Sequence, residues 1–216
     1  TLITSSAASD VYKRQSGGSS ALVAAGVIPI AHANDGAGSI RIPASCCGLV
    51  GLKASRGRIK DKEVPGYLPA NILHDGVVTR SVRDTWAFHA EIEKNIPATE
   101  FPPIGDISES FPKNLKIAVL TENCLGEDSS AELVQATHDV ARRCESLGHE
   151  VEMISNPFYK KFDEDFWLLW AHFGFLIRYS VGKELSSKFD HTQLEQWPKY
   201  LISVSYTHLR AHETTN

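Results

Sequence analysis

The sequence predicts an α/β fold, and three observations carry that prediction. Short apolar runs containing β-branched residues alternate with stretches of helical period. The spacings Ser81-x-x-Asp84 and Ser129-x-x-Glu132 each set a capping box ahead of such a stretch. Residues 115–154 then read strand, helix, strand, a unit that implies two parallel strands joined by a right-handed crossover.

Taken in order, residues 19–26 are small and helix-compatible after the Gly17-Gly18 pair. Residues 27–32 form a short apolar run, read as a buried strand. Residues 34–39 are a Gly-rich turn, 40–47 a short helix and 48–53 another strand. Val77 and Val78 lead into the Ser81 cap and a helix over 82–93. Residues 97–112 hold several prolines and few periodic apolar positions, and read as a surface linker. A strand over 115–120 precedes a helix on which Leu133, Ala136, Val140, Cys144 and Leu147 share a face. Gly148 should end that helix, residues 151–154 return as a strand, and an aromatic-rich helix covers about 162–185.

The chain has 216 residues, enough for one ordinary domain with a core. Its formal net charge of −4 gives no nucleic-acid footprint, so no nucleic-acid partner is expected. Four cysteines, two of them adjacent at Cys46 and Cys47, do not make a disulfide framework; a reduced, cytoplasmic setting is the simpler reading. No basic-then-apolar leader pattern opens the chain. The longest apolar stretch, residues 166–177, contains His172 and is too short to span a bilayer, so no membrane partner is expected. We read it as a buried helix, with a dimer contact or a substrate wall as alternatives.

Both ends look foreign. Residues 6–15 read SAASDVYKRQ and residues 205–214 read SYTHLRAHET, each resembling translated sequencing-adapter read-through. Three segments are therefore expected: 1–15 and 205–216 non-native, and 16–204 natural. His208 and His212 stand at i, i+4 spacing like half a metal site, but in the suspect tail; no metal and no cofactor is expected.

The chemistry concentrates in the turn Asp35-Gly36-Ala37-Gly38-Ser39. A small-residue turn between a strand and a helix start aims successive backbone N–H groups into one space. A serine at its end has the layout of a nucleophile beside an oxyanion hole. A tight turn capped by a serine is the plainer reading of a lone G-x-G-S. A phosphate-cradling loop is a third, weakened because no Lys-Ser/Thr pair follows the glycines.

The longer segment bears on that choice. Ser16-Gly17-Gly18-Ser19, Asp35, Gly36, Gly38, Ser39, Ile40, Arg41, Pro43, Cys47, Gly48, Gly51, Leu52 and Lys53 match the pattern GGSSGGS…D-x-GGSIR-x-P…CG-x-x-GLKP, and the chain resembles the amidase signature family in them. Thr79 to Asp84 (TRSVRD), LKIAVLTEN and ESLGHEVE resemble later family segments. The resemblance implies a fragment of the amidase-signature fold, a mixed central sheet covered by helices. It implies a Ser–cis-Ser–Lys triad with Ser39 as nucleophile and the amides of Gly36, Ala37, Gly38 and Ser39 as oxyanion donors. A neutral lysine would take the serine's proton through a bridging serine and return it to the leaving amine, and water would then hydrolyse the acyl-serine.

Ungapped alignment places the bridging serine on Gln15, with Ser16 as the second serine of the pair. The family's lysine lies many tens of residues upstream, outside this chain; Lys13 and Lys53 are not read as substitutes. The chain by itself is accordingly expected to be inactive or nearly so, with exposed sheet edges and a tendency to aggregate.

Asp35 is expected to hold the turn amides rather than act in catalysis, Arg41 to form an ion pair near the site rather than grip substrate, and Cys47 to pack as a small hydrophobe. Ala37 stands where glycine is usual and adds a methyl beside the acyl pocket. The string HANDGAGSIRIPAS is similar to the branch containing cyclic-amide hydrolases. The expected activity is hydrolysis of a small-molecule carboxylic amide, linear or cyclic, with a homodimer of the full-length parent possible in principle. The rival readings are the glutaminase-type subunit of a tRNA-dependent amidotransferase, and a non-catalytic amidase-like binding protein.

Overall fold

The computed structural model describes residues 16–59, 72–96, 101–105, 112–123, 125–127, 129–158 and 161–184, with 196, 199–200 and 203–204. The expectations placed on residues 6–15 and 205–214, including Lys13, Gln15, His208 and His212, lie outside the described residues. The chain divides into two compact units, Thr1–Ser110 and Phe111–Asn216, and the division falls within the proline-bearing segment.

In the first unit, helix α1 (Gly17–Ala24) leads into strand β1 (Ile30–Asp35), then helix α2 (Arg41–Cys46), strand β2 (Val50–Gly51), strand β3 (His74–Thr79) and helix α3 (Val82–Asn95). The three strands form an antiparallel sheet in the order β1-β3-β2. β1 runs beside β3 from Ile30↔Thr79 to Asp35↔His74, and Val50 and Gly51 pair with Thr79 and Val78 on the other side. The core packs Val23 of α1, Ala33 of β1, Ile40, Ala44 of α2 and Val78 of β3 together, all essentially excluded from solvent. Ile40 directly follows Ser39, so the core grips the chain one residue beyond the candidate nucleophile.

The strand boundaries differ from expectation for one repeated reason. Gly26 at φ 76° ends α1, with Gly26 N–H donating to Val23 O (3.1 Å) and Val27 N–H to Leu22 O (3.1 Å). That paired pattern is a Schellman cap, and it holds Val27 in the helix end, so β1 starts at Ile30 rather than Val27. Gly48 at φ 65° does the same for α2, donating to Ser45 O (3.3 Å) while Leu49 N–H reaches Ala44 O (2.8 Å). The strand expected over 48–53 therefore shrinks to two residues, and Lys53 lies beyond it, its Nζ donating to Ala54 O (3.2 Å).

Ser81 caps α3 as its spacing predicts, its Oγ accepting the Asp84 amide at 3.1 Å. The 97–112 segment is tied down where it is described. Trp86 Nε1 donates to Gly105 O, and Arg58 donates to Glu93 and to Pro102 O while lying over the Phe101 ring.

In the second unit, β4 (Lys116–Val119) and β5 (Glu150–Met153) pair in parallel, joined by helix α4 (Ala131–Ser146), and helix α5 (Phe162–Glu184) follows. Gly148 at φ 87° closes α4 with a third Schellman pattern, Gly148 N–H to Glu145 O and His149 N–H to Cys144 O. Two expectations fail here. Ser130, not Ser129, is the N-cap, and it makes no side-chain cap; the Ser129 amide is drawn to Thr121 O (3.1 Å) instead. The face of Leu133, Val140 and Leu147 is exposed, and Ala141 is the buried residue. Among the described residues the sheet of this unit has two short strands, and a sheet that narrow cannot cover a full apolar stripe. On α5, Ala171 and Phe173 are buried, whereas Trp167, Leu168 and Leu169 are exposed. Among the described residues, no helix is long and apolar enough to cross a membrane.

Candidate functional site: the turn between β1 and α2

The site is one turn, and its shape follows from a single carboxylate. β1 delivers Asp35 to the sheet end on the side facing the core, with no solvent exposure. Its Oδ1 accepts the Gly38 amide at 2.6 Å and its Oδ2 accepts the Ile40 amide at 3.3 Å. Bonding back to amides three and five residues on folds the chain over the side chain, the way Asp shapes tight turns. Gly38 sits at φ 113°, a conformation glycine alone adopts without strain. A side chain there would also meet Ile42 Cδ1 at 2.6 Å.

Arg41 neutralises the buried charge. Its Nε donates to Asp35 Oδ2 (2.9 Å) and its Nη2 to Oδ1 (3.1 Å), a two-point pair with the guanidinium about half exposed. Burial acting alone would raise the Asp35 pKa; the Arg41 pair and the amides of Gly38 and Ile40 outweigh it and bring the group down to about 2. The same bonds push the Arg41 guanidinium up. Asp35 is thus an anion throughout the neutral range, with its oxygens occupied. It is a structural acceptor rather than a proton carrier.

These bonds decide which amides are available. Of the four expected oxyanion donors, Gly38's N–H donates to Asp35 Oδ1. Among the described residues, the amides of Gly36, Ala37 and Ser39 have no hydrogen-bond partner. They stand on a turn whose Ala37 is exposed and whose Gly36 and Ser39 are half-buried. The Ser39 hydroxyl likewise takes no partner among the described residues. A half-exposed serine on a turn with three N–H groups that take no partner among the described residues is an arrangement that can bind an oxyanion next to an attacking oxygen.

Helix α1 is stitched to this turn at its start. The Ser16 amide donates to Ser39 O (3.3 Å), and the Ser16 Oγ accepts from Asn34 N–H (3.2 Å) and donates to Asn34 O (3.4 Å). Ser19 Oγ donates to His32 O at 2.6 Å. The two halves of the segment that sequence reading joined are therefore adjacent in space. Behind them, two glycines leave room for the turn. A Cβ at Gly51 would lie 2.6 Å from Ala44 Cβ and 2.9 Å from Ile40 O, and one at Gly76 would lie 3.0 Å from Ile40 Cδ1.

Sequence reading missed three contributors. His74 is the cross-strand partner of Asp35 and is buried; only the strand register reveals it. Buried His89 of α3 has its pKa lowered by burial first, then by His74 and Arg58, against a smaller opposing effect of Glu93. Arg80 donates to Val23 O (3.0 Å) and Ile28 O (3.1 Å) and so satisfies carbonyls at the α1 end; its place in the TRSVRD string was the available signal. Cys47 is half-buried at the C-cap of α2, at the far end of that helix from Ser39.

The Amidase family model matches residues 15–210. A protein bearing the amidase name AmiC in Mycobacterium bovis is 46% identical over 182 residues, covering 84% of this chain and 38% of that protein. The 6-aminohexanoate-cyclic-dimer hydrolase of Paenarthrobacter ureafaciens is 42% identical over 150 residues, covering 63% of this chain and 29% of that protein. Among solved structures, a 6-aminohexanoate cyclic dimer hydrolase superposes with a TM-score of 0.72 at 29% identity, over 89% of this chain and 42% of the other. A bacterial aryl acylamidase of the amidase signature family gives 0.71 at 26% identity, over 87% and 40%. The chain thus spans well under half the length of the relatives it matches.

Proposed function

The chain belongs to the amidase family, and from that premise we propose that it carries the nucleophile and oxyanion-binding turn of an enzyme hydrolysing a carboxylic amide C–N bond. Ser39 Oγ attacks the carbonyl carbon, and the amides of Gly36, Ala37 and Ser39 receive the oxygen as it becomes negative. Asp35 and Arg41 position those amides without touching substrate. The proton leaving Ser39 passes to a base and then to the departing amine, and water releases the acid from the acyl-serine.

The observation that carries this reading is the division of the turn amides: Asp35 takes those of Gly38 and Ile40 and leaves the three others beside a half-exposed serine. The 6-aminohexanoate-cyclic-dimer hydrolase relatives support a linear or cyclic amide of small size as substrate class. Likeness to a glutamyl-tRNA(Gln) amidotransferase component from Staphylococcus epidermidis is weaker, 36% over 149 residues, which favours direct hydrolysis over ammonia transfer. A cytoplasmic setting and a homodimer of the parent protein belong to this same proposal.

The test uses the longest natural reading frame containing this segment, assayed for amine or ammonia release from simple aliphatic and aryl amides. Release that Ser39→Ala abolishes supports the reading. Release that survives in Ser39→Ala overturns it.

A further inference from the structure

Helix α2 carries a second reactive feature at the end opposite Ser39. Cys46 is its last helical residue and is exposed; Cys47 is its C-cap and is half-exposed; both are free thiols. The peptide that joins them is held by the Schellman cap at Gly48, with Cys47 N–H also bonded to Pro43 O (3.1 Å) and Ala44 O (3.2 Å). Pro43 and Ala44 are buried, so the helix end is anchored from below while its two thiols meet solvent. Two thiols on neighbouring residues can both reach one small centre, and the second then binds at high effective concentration.

We propose that Cys46 and Cys47 form a vicinal dithiol site for soft trivalent metalloids, of which a trivalent organoarsenical is the representative ligand. Soft thiol ligands select soft centres; among the described residues, no group of three or more His, Cys, Asp and Glu could hold a metal ion. With phenylarsine oxide the chemistry balances without an oxidant. Two As–S bonds form, the As=O bond breaks, and the two thiol protons leave with the oxygen as one water. The second thiol acts at high effective concentration once the first has bound, so the bridged adduct should outlast a single-thiol adduct by about 10²-fold or more.

The test incubates the protein with one equivalent of phenylarsine oxide, challenges it with excess glutathione, and reads intact mass. Cys124 and Cys144 are removed first as Cys124→Ser/Cys144→Ser, leaving the pair alone. The proposal expects one phenylarsenic bridge that survives glutathione and is released by a dithiol such as dimercaptopropanol. In that background, adding Cys46→Ser or Cys47→Ser should make the adduct glutathione-labile. Exposed Cys46 can be changed without disturbing the core, and circular dichroism checks that each variant is folded. Absence of a glutathione-resistant adduct in the double variant, or its persistence after Cys46→Ser, overturns the proposal.

Discussion

Arg41 grips Asp35 at two points, Nε to Oδ2 at 2.9 Å and Nη2 to Oδ1 at 3.1 Å, across the turn that presents Ser39. The same two carboxylate oxygens hold the amides of Gly38 and Ile40, so one buried anion fixes both walls of the turn.

Removing that anion should cost both stability and activity. Asp35→Ala leaves the buried Gly38 and Ile40 amides without an acceptor, a loss of about 2–3 kcal/mol read from the urea midpoint. Arg41→Lys keeps a charge but loses the fork, and because Arg41 is half exposed its cost should be smaller, about 0.5–1 kcal/mol. The ordering of these two variants is the prediction; equal costs would contradict it.

Stability should fall in two steps on acidification. Asp35 has its folded pKa lowered from 3.8 to about 2, so its contribution is complete above 3.8 and disappears as pH falls toward 2. His89 also has a lowered folded pKa, from 6.5, because burial opposes its charging. The unfolded chain therefore binds that proton first, and stability begins to fall as pH drops below 6.5. Urea titrations against pH should show both steps, and His89→Phe should remove the upper one only.

Gly38 should tolerate no side chain. Alanine there must adopt φ near 113° and place its Cβ 2.6 Å from Ile42 Cδ1. The positive φ alone costs about 1–3 kcal/mol. Gly38→Ala should therefore lower the thermal midpoint and abolish the turn geometry together. Gly51→Ala, whose Cβ meets Ala44 Cβ at 2.6 Å, should act on the same helix from behind.

Ser39→Ala should separate chemistry from folding. The hydroxyl holds no partner among the described residues, so the thermal midpoint should stay within about 0.5 kcal/mol equivalent of the parent. Amide hydrolysis by the natural full-length frame should drop by about 10⁴-fold or more, as it does when a serine nucleophile is removed elsewhere. A large stability loss would assign Ser39 a structural role instead.

Much of this site was legible in the residues. The Gly-rich turn and an Asp35 acceptor for its amides are visible in the string; an ion pair for Arg41 is expected once the family resemblance singles it out, but its partner Asp35 comes from the structure. What the string could not show was the exclusivity of a hydrogen bond. Gly38's amide is expected among the oxyanion donors, and only the structure shows it donating to Asp35 at 2.6 Å. Strand ends were misjudged at Val27 and Gly48 because apolar character was weighed above the helix cap that each glycine completes. The face of α4 was misjudged because periodicity identifies a stripe but not the width of the sheet beneath it; Ala141 rather than Val140 is the residue it buries. His74 became visible only through its register opposite Asp35.

The most direct measurement follows the turn amides themselves. Ser39 in the full-length natural frame is trapped with a fluorophosphonate, and the ¹H–¹⁵N signals of residues 36–40 are compared before and after. The account predicts that the amide protons of Gly36, Ala37 and Ser39 shift downfield as they meet the phosphonyl oxygen, while those of Gly38 and Ile40 stay bonded to Asp35 and barely move. Attachment to another residue, or a shift concentrated on Gly38, would contradict it.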